Sequence, residues 1–318
     1  MNFSTMEYFI AVAEEKNFAK ASERLGITQQ ALSASIAHLE CYYRVRLFKR
    51  STPLELTYAG TVFLEYARKA EALERSMNQD FRDIVGDSKG VLRVGISGTR
   101  SRIIMPQAIA TYQQKRPGIE IELHEIENDE LIENLRAGQL DLIVATIPKD
   151  LPDIIVKGLY KEEVILLLSK ELLSSLYGDK GNDMVGEIEQ TGSLRPLADC
   201  PFVLLGKQDI PGNLARKIFR EVGITPPVRA MSSNSETLLN LCERSVGAFL
   251  CPRRLVLSAL SEESLDKVRI VHLGAQAKYW ISVGWRDTDH VWSATEVFID
   301  TLEEQMDSEQ YEANRTWF

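Results

Sequence analysis

The sequence predicts an α+β winged helix-turn-helix unit at the N-terminus, then one long helix, then an α/β unit of two subdomains that fills the rest of the chain. Three observations carry this. Two short helical stretches meet at a turn on Gly26, an apolar stripe runs over 59–84 without a proline, and strand and helix signals alternate from Gly90 onward. The chain has 318 residues, room for two or three cores, and its 44% hydrophobic content suits ordinary globular folding. Runs such as Val164 to Leu168 are too short to cross a bilayer, and the start has neither a basic segment nor a long apolar one. No signal peptide and no membrane partner are expected. Cys41, Cys200, Cys242 and Cys251 form no CxxC pair, which fits a reducing cytoplasm and argues against a zinc ribbon or a disulfide framework.

The first helix follows from Phe3, Met6, Phe9, Ile10 and Ala13 at three- and four-residue spacing. Asn17 offers a cap to a second helix over 19–25, and Gly26 ends it by taking the left-handed conformation. Thr28 caps a third helix, Thr28 to Cys41, with Ala31, Leu32, Ile36 and Leu39 expected inward. Its outer face then carries Gln29, Gln30, Ser33, Ser35 and His38, short or medium polar groups with few formal charges. Gln can pair with adenine, and Ser lets a helix axis approach base edges. A merely solvated face is the alternative. Residues 45–50 and 54–57 alternate as two strands joined by Ser51-Thr52-Pro53. Such a hairpin is a wing that would bring Arg46, Lys49 and Arg50 to phosphates.

A formal net charge of -9 at first speaks against nucleic acid, yet residues 1–58 hold seven Lys/Arg against six Asp/Glu. Most of the acidity lies further on. The balance permits DNA binding and predicts that one copy binds non-specific DNA weakly.

Ala59, Phe63, Tyr66, Ala70, Leu73, Met77 and Ile84 stripe the long helix, with Val62 and Phe81 widening the face and Asp80 interrupting it. A helix striped in this way needs a partner, either its own domain or a second copy. The second copy is favoured, because paired recognition helices match the half-sites of a pseudo-palindrome. Gly86-Asp87-Ser88-Lys89-Gly90 then reads as a hinge. Strands are expected at 91–96, 119–124, 140–145, 163–168, 202–205 and 279–285, and helices at 103–112, 129–136, 212–222 and 294–306. Near-continuous apolar strands between helices indicate a parallel sheet. Tyr177 to Gly192 reads as an acidic surface excursion. Two α/β units joined by crossing strands leave a cleft suited to a small polar or anionic molecule. Ser97-Gly98-Thr99 is the best local candidate for its wall, or an ordinary helix cap, and Arg100 either meets a carboxylate or is solvated.

Phe18-Ala19-Lys20-Ala21-Ser22, Leu25-Gly26-Ile27-Thr28-Gln29, Ala31-Leu32-Ser33, Leu39-Glu40, Leu47-Phe48-Lys49-Arg50 and Leu56-Thr57 with Gly60 occur in order over about sixty residues. This region resembles the DNA-binding domain of LysR-type transcriptional regulators. The resemblance puts Gln29, Ser33 and Arg50 where the family contacts DNA. Gln30 replaces the usual Pro, Tyr43-Arg44 replaces Leu-Gly, Ala34 is unusually small, and the wing tip is short. Further on, Leu131 to Asp141 and Ser245 to Pro252 are similar to segments of the family's effector domain, itself similar to periplasmic solute-binding proteins. That implies an effector cleft lined by Ser97, Thr99, Asn128, Thr146, Phe202 and Phe249, with Gly98 and Arg100 added from the local reading. Asn128 stands where Ser or Thr is common. The resemblance also implies antiparallel pairing of the long helices, dimers or tetramers, and RNA polymerase as a partner at promoters.

The resulting layout is 1–58 for DNA binding, 59–89 for the linker helix and hinge, and 90–318 for the effector. The first subdomain of the last part takes about 90–162 and 268–306, the second 163–267. An enzyme is disfavoured, because His38, His124, His272 and His290 are scattered and no GxGxxG, P-loop or GxSxG is present. No cofactor and no metal site are expected. An architectural DNA binder would carry more positive charge and have no use for a cleft.

Overall fold

A computed structural model describes residues 3–315 except 50, 52, 87, 149 and 208, with side chains described as far as 308. Arg50, the middle of the wing turn at Thr52, and Asp87 of the hinge therefore lie outside the described residues.

The N-terminal unit packs α1 (Phe3–Glu15), α2 (Phe18–Leu25) and α3 (Gln29–Tyr43) around Phe9, Val12, Leu32, Ile36 and Leu39. Asn17 caps α2, accepting from the backbone N–H groups of Ala19 and Lys20 at 2.8 and 3.2 Å. Gly26 closes the helix at φ 65°, where a side chain would be strained. Among the described residues the wing is β1 (Phe48–Lys49) and β2 (Glu55–Leu56), antiparallel, shorter than its alternation suggests. Glu40 limits the first strand, since its carboxylate accepts from the backbone N–H groups of Leu47 and Phe48 at 2.7 and 3.3 Å.

The long helix α4 (Tyr58–Val85) starts on Thr57, whose hydroxyl accepts from Gly60 N–H at 3.0 Å. After it come β3 (Gly90–Ile96), α5 (Gly98–Lys115), β4 (Ile119–Glu125), α6 (Asn128–Arg136), β5 (Leu142–Ala145) and β6 (Ile154–Ser169). Then follow α7 (Lys170–Tyr177), α8 (Gly181–Thr191), β7 (Phe202–Leu205), α9 (Ile210–Val222), β8 (Val228–Ser232), α10 (Ser235–Glu243) and β9 (Ala248–Pro252). The chain closes with α11 (Arg253–Ala259), α12 (Glu262–Lys267), β10 (Val268–His272), β11 (Lys278–Arg286) and α13 (Ser293–Arg315).

The strands form one continuous ladder, β4-β3-β5-β11-β6-β9-β7-β8, with β10 on β6. It is mixed, not wholly parallel. β3 pairs in parallel with β4 and β5, and β7 with β8 and β9, but β11 and β6 run antiparallel to their neighbours. The cause is β6, a single strand of 16 residues whose first part pairs with β11 in one lobe and whose last part pairs with β9 and β10 in the other. The strand expected at 163–168 is only its second half. β10, expected with the first lobe, belongs to the second through its pairing with β6, and the chain returns to the first lobe at β11. The acidic stretch 177–192 is not a loose excursion, for α8 buries Val185 and Ile188 in the core of the second lobe. Their i,i+3 spacing is a helical face hidden by acids on the solvent side.

The linker helix is seated on the first lobe. Arg75 donates to the Gly138 carbonyl at 2.9 Å, buried Gln79 donates to Asp141 Oδ1 at 3.1 Å, and Arg286 donates to Ser76 Oγ at 3.2 Å. Asp83 accepts from the backbone N–H and the hydroxyl of Ser293 at 2.8 and 2.7 Å. Gly138, at φ 70°, passes so close to Ala72 that any side chain there would collide with it. The opposite face of α4 leaves Tyr66, Leu73, Met77, Phe81 and Ile84 exposed. Of the apolar stripe only its start, Ala59 and Phe63, packs within the chain, against the N-terminal unit; the face of α4 docked on the first lobe is largely polar and the rest of the stripe is bare.

Candidate nucleic-acid interface and ligand cleft

Helix α3 is built so that its core side is Leu32, Ile36 and Leu39. Thr28 caps it, the hydroxyl oxygen accepting from Ala31 N–H at 3.2 Å, which leaves the hydroxyl proton for an outside acceptor. Gln29, Gln30, Ser33 and His38 are exposed, and Ser35 lies half-buried on the flank. Ala31, expected in the core, is also exposed, as are Ala34 and Ala37. At i,i+3 spacing these alanines make a smooth outer surface that lets the helix axis come close to a groove. Reading Ala as apolar hides this role, because Ala is tolerated on either side of a helix.

The wing cations are less available than their number suggests. Arg46 pairs with Glu40 at 2.9 Å, and Lys49 pairs with Glu55 at 2.9 Å across the hairpin. The Lys49–Glu55 pair is exposed on both sides and worth little, so a phosphate can replace that carboxylate at small cost, whereas Glu40 is largely buried. Arg24 is held likewise by Glu14 at 2.9 Å.

Between the lobes lies a cavity of about 490 Å³. The helices α5, α6, α9 and α10 all begin at or beside its wall, so partly positive backbone ends converge there. Ser97, Gly98, Thr99, Arg100 and Asn128 line it, as the sequence suggested. Thr99 and Ser235 share a hydrogen bond of 3.0 Å across the cleft, and Arg102 pairs with Glu236 beside it. These contacts separate the cavity from an outer one of about 410 Å³. Arg100 donates to Ser97 Oγ at 3.1 Å and also bonds the Tyr279 hydroxyl.

Three expected residues do not line the cavity. Phe202 and Phe249 are both 0% exposed; Phe202 packs against Phe219 at 4.8 Å between ring centroids, and Phe249 sits in the core behind α10. β7 and β9 are buried on both faces, successive residues entering two different cores, so neither ring reaches the cleft. Thr146 is tied to Asn128, whose side chain donates to its carbonyl at 2.8 Å and accepts from its N–H at 3.0 Å. Asn128 thus braces the wall as well as lining it.

Local reading missed the second lobe's share of the lining, Leu205, Ile210, Pro211, Ser233, Ser235 and Pro252, and with it a set of acids. Glu125, Glu127, Glu130 and Asp209 all border the cavity, and so does Tyr279. Burial pushes the Asp209 carboxyl up to about 6, against a downward pull from Arg100, with Glu127 raising it further. Its Oδ1 is buried without a hydrogen-bond partner. Only its place before Ile210-Pro211 hints at anything, and that reads as an ordinary helix cap. Deeper in the hinge, burial also raises Glu162, which accepts from the Tyr160 hydroxyl at 3.3 Å.

Among the described residues no group of His, Cys, Asp or Glu could hold a metal ion, and no helix is long and apolar enough to cross a membrane. Cys200, Cys242 and Cys251 are buried, and desolvation pushes the Cys200 thiol up to about 12.

A family profile described as LysR substrate binding domain matches residues 86–307, and one described as a bacterial regulatory helix-turn-helix protein of the lysR family matches residues 3–61. By sequence the chain is similar to the HTH-type transcriptional regulator TfdS of Cupriavidus pinatubonensis, 31% identical over 255 residues that cover 79% of this chain and 82% of that one. It is also similar to the regulator AlsR of Bacillus subtilis, 26% identical over 85% of this chain and 87% of that one. Among solved structures, full-length OxyR C199D from Pseudomonas aeruginosa matches with a TM-score of 0.70 at 22% identity, covering 95% of this chain and 94% of that one. Full-length CbnR complexed with its target DNA matches with a TM-score of 0.64 at 24% identity, covering 96% and 99%. These last two likenesses show the shared fold.

Proposed function

Because this chain belongs to the LysR family of DNA-binding transcriptional regulators and is not an enzyme, we propose that two copies read a pseudo-palindromic site and that a small effector in the inter-lobe cleft sets how they do so. Gln29, Gln30 and Ser33 of α3 would meet base edges, while Thr28, Ser35, Arg46, Lys49 and Arg50 would position the unit on phosphates. The bare edge of α4 would pair with its counterpart in a second copy, in a dimer or a tetramer built from it. At a promoter the assembly would act on RNA polymerase.

The observation that carries this reading is the seat of the linker helix. Asp141 accepts from Gln79 of α4 with one oxygen and from the Arg93 backbone N–H of β3 with the other, at 3.1 and 2.8 Å. Strand β3 ends at Ile96, next to Ser97 in the cleft wall. A ligand that favours one arrangement of the lobes would therefore bias the helix that carries the DNA-reading unit. Footprinting with and without cleft ligands tests this. The footprint or the DNA bend should change in the native chain, and the change should be lost when Gln79→Leu unseats the helix. A ligand that binds the cleft tightly and leaves both unaltered would overturn the reading.

A further inference from the structure

The cleft is charged against a plain anion. Its wall presents four carboxylates, Glu125, Glu127, Glu130 and Asp209, against the single guanidinium of Arg100. Nor is Arg100 a spare charge, for it is bonded to Ser97 and Tyr279, and its field acts on buried Glu162 as well as on Asp209. An incoming carboxylate with no other charge meets a wall that is already negative. Yet the helix starts gathered at the same wall favour negative charge.

Asp209 separates the two demands. It stands at the start of α9, where the Gly212 backbone N–H draws on its carboxylate too weakly to offset burial and no full capping bond forms, although Asp is among the preferred caps. Its Oδ1 is buried with no donor, a costly state that an incoming donor relieves. Glu127 is near enough for its charge to act on the same carboxyl. An ammonium group supplies both the donors and the missing positive charge. A simple amine would satisfy the acids and bring no negative group to the first turn of α5, beside which Arg100 lies.

We propose that the cleft takes a small zwitterion of the amino-acid type, its ammonium group between Asp209 and Glu127 and its carboxylate at Arg100 and the first turn of α5. This rests on the reading of the cleft as the effector site. It narrows a polar or anionic compound to one that carries an amine beside its acid.

Isothermal titration of the full-length protein tests it with the common amino acids, their deaminated 2-oxo acids and their decarboxylated amines as probes. At least one amino acid binds, and each truncated counterpart binds about tenfold more weakly or worse. Asp209→Asn and Glu127→Gln each weaken that amino acid by about tenfold and do not weaken its 2-oxo acid, which gains if anything from a less negative wall. Asp209→Asn is expected to fold, because it removes a buried charge, and Glu127→Gln provides an independent reading at the surface. A 2-oxo acid that binds as tightly as its amino acid, or no binding by any amino acid, overturns the zwitterion. Footprinting in the presence of the same compounds judges the cleft separately. A footprint shifted by an acid without an amine keeps the effector cleft and discards the zwitterion. Amino-acid binding that depends on Asp209 and Glu127 but leaves the footprint unaltered keeps the zwitterion and discards its regulatory role. Amino-acid binding indifferent to both substitutions discards the zwitterion site and leaves the regulatory cleft to the footprint.

Discussion

Thr28, Gln29, Gln30 and Ser33 lie within two turns of one helix and face outward, while Ser97, Asn128, Asp209 and Ser235 reach the cleft from four helix starts far apart in the chain. The first surface is made by one local element and presents few formal charges. The second exists only where two lobes meet, and it concentrates carboxylates. Apart from Thr28, which caps the helix, the outward face of α3 tolerates change, because its side chains support nothing beneath them. A cleft wall assembled from distant segments is also part of the packing, as the two hydrogen bonds between the Asn128 side chain and the Thr146 backbone show.

The largest expected effect separates the two regions through the helix between them. Leu73→Glu with Phe81→Glu places charges on the bare edge of α4 and should leave a monomer that binds its operator about 100-fold more weakly or worse, since the second half-site is lost. Titration of cleft ligands should be unchanged. Loss of ligand binding in that variant would mean that the cleft depends on the assembly. Next, Gln29→Ala should cost about 1–3 kcal/mol of operator affinity and relax specificity at one position, as measured by fluorescence anisotropy on a series of substituted sites. Uniform weakening across all sequences would make Gln29 a phosphate contact.

Asp209→Asn should act in the opposite sense on stability. Burial, with Glu127 adding to it and Arg100 opposing it, holds the carboxyl at about 6, above the ordinary 3.8, so the folded chain binds that proton more tightly than the unfolded chain does. Near neutral pH the ionised group therefore destabilises the fold, and the penalty is relieved as pH falls through about 6 toward 4. The variant should be more stable by about 2 kcal/mol near neutral pH and gain nothing near pH 4, as read by thermal unfolding at both. A gain that persists in acid would trace to packing.

Smaller effects follow at the joints. Gln79→Leu leaves one oxygen of buried Asp141 unpaired and should cost about 1 kcal/mol in thermal unfolding while uncoupling ligand from footprint. Lys49→Ala should weaken DNA binding least, lowering the salt slope by about 1, because Lys49 must first leave Glu55. An unchanged slope would remove Lys49 from the phosphate contacts.

Much of the molecule is legible in order along the chain. Asn17, Gly26 and Thr28 punctuate the helices where their capping chemistry demands, and the stripe over 59–84 announces α4 almost to its ends. Less legible was anything set by a neighbour. Phe202 and Phe249 resemble cleft residues by position and lie in cores. The stretch 177–192 looks polar until α8 is seen to bury Val185 and Ile188.

What the sequence determined by itself is the kind of protein: a helix-turn-helix with a wing, a long helix and a two-lobed α/β unit, all recorded in local periodicity and turn chemistry. What only the tertiary structure decided is which charges meet. Periodicity says that a residue faces inward or outward, but not what faces it from another lobe. The chain-wide excess of acid is visible in composition, but only the crossing of β6 and β11 between the lobes brings Asp209, Glu127 and Arg100 to one wall. There the dielectric is low and the fields overlap, so their mutual charge has consequences that their positions in the sequence do not reveal.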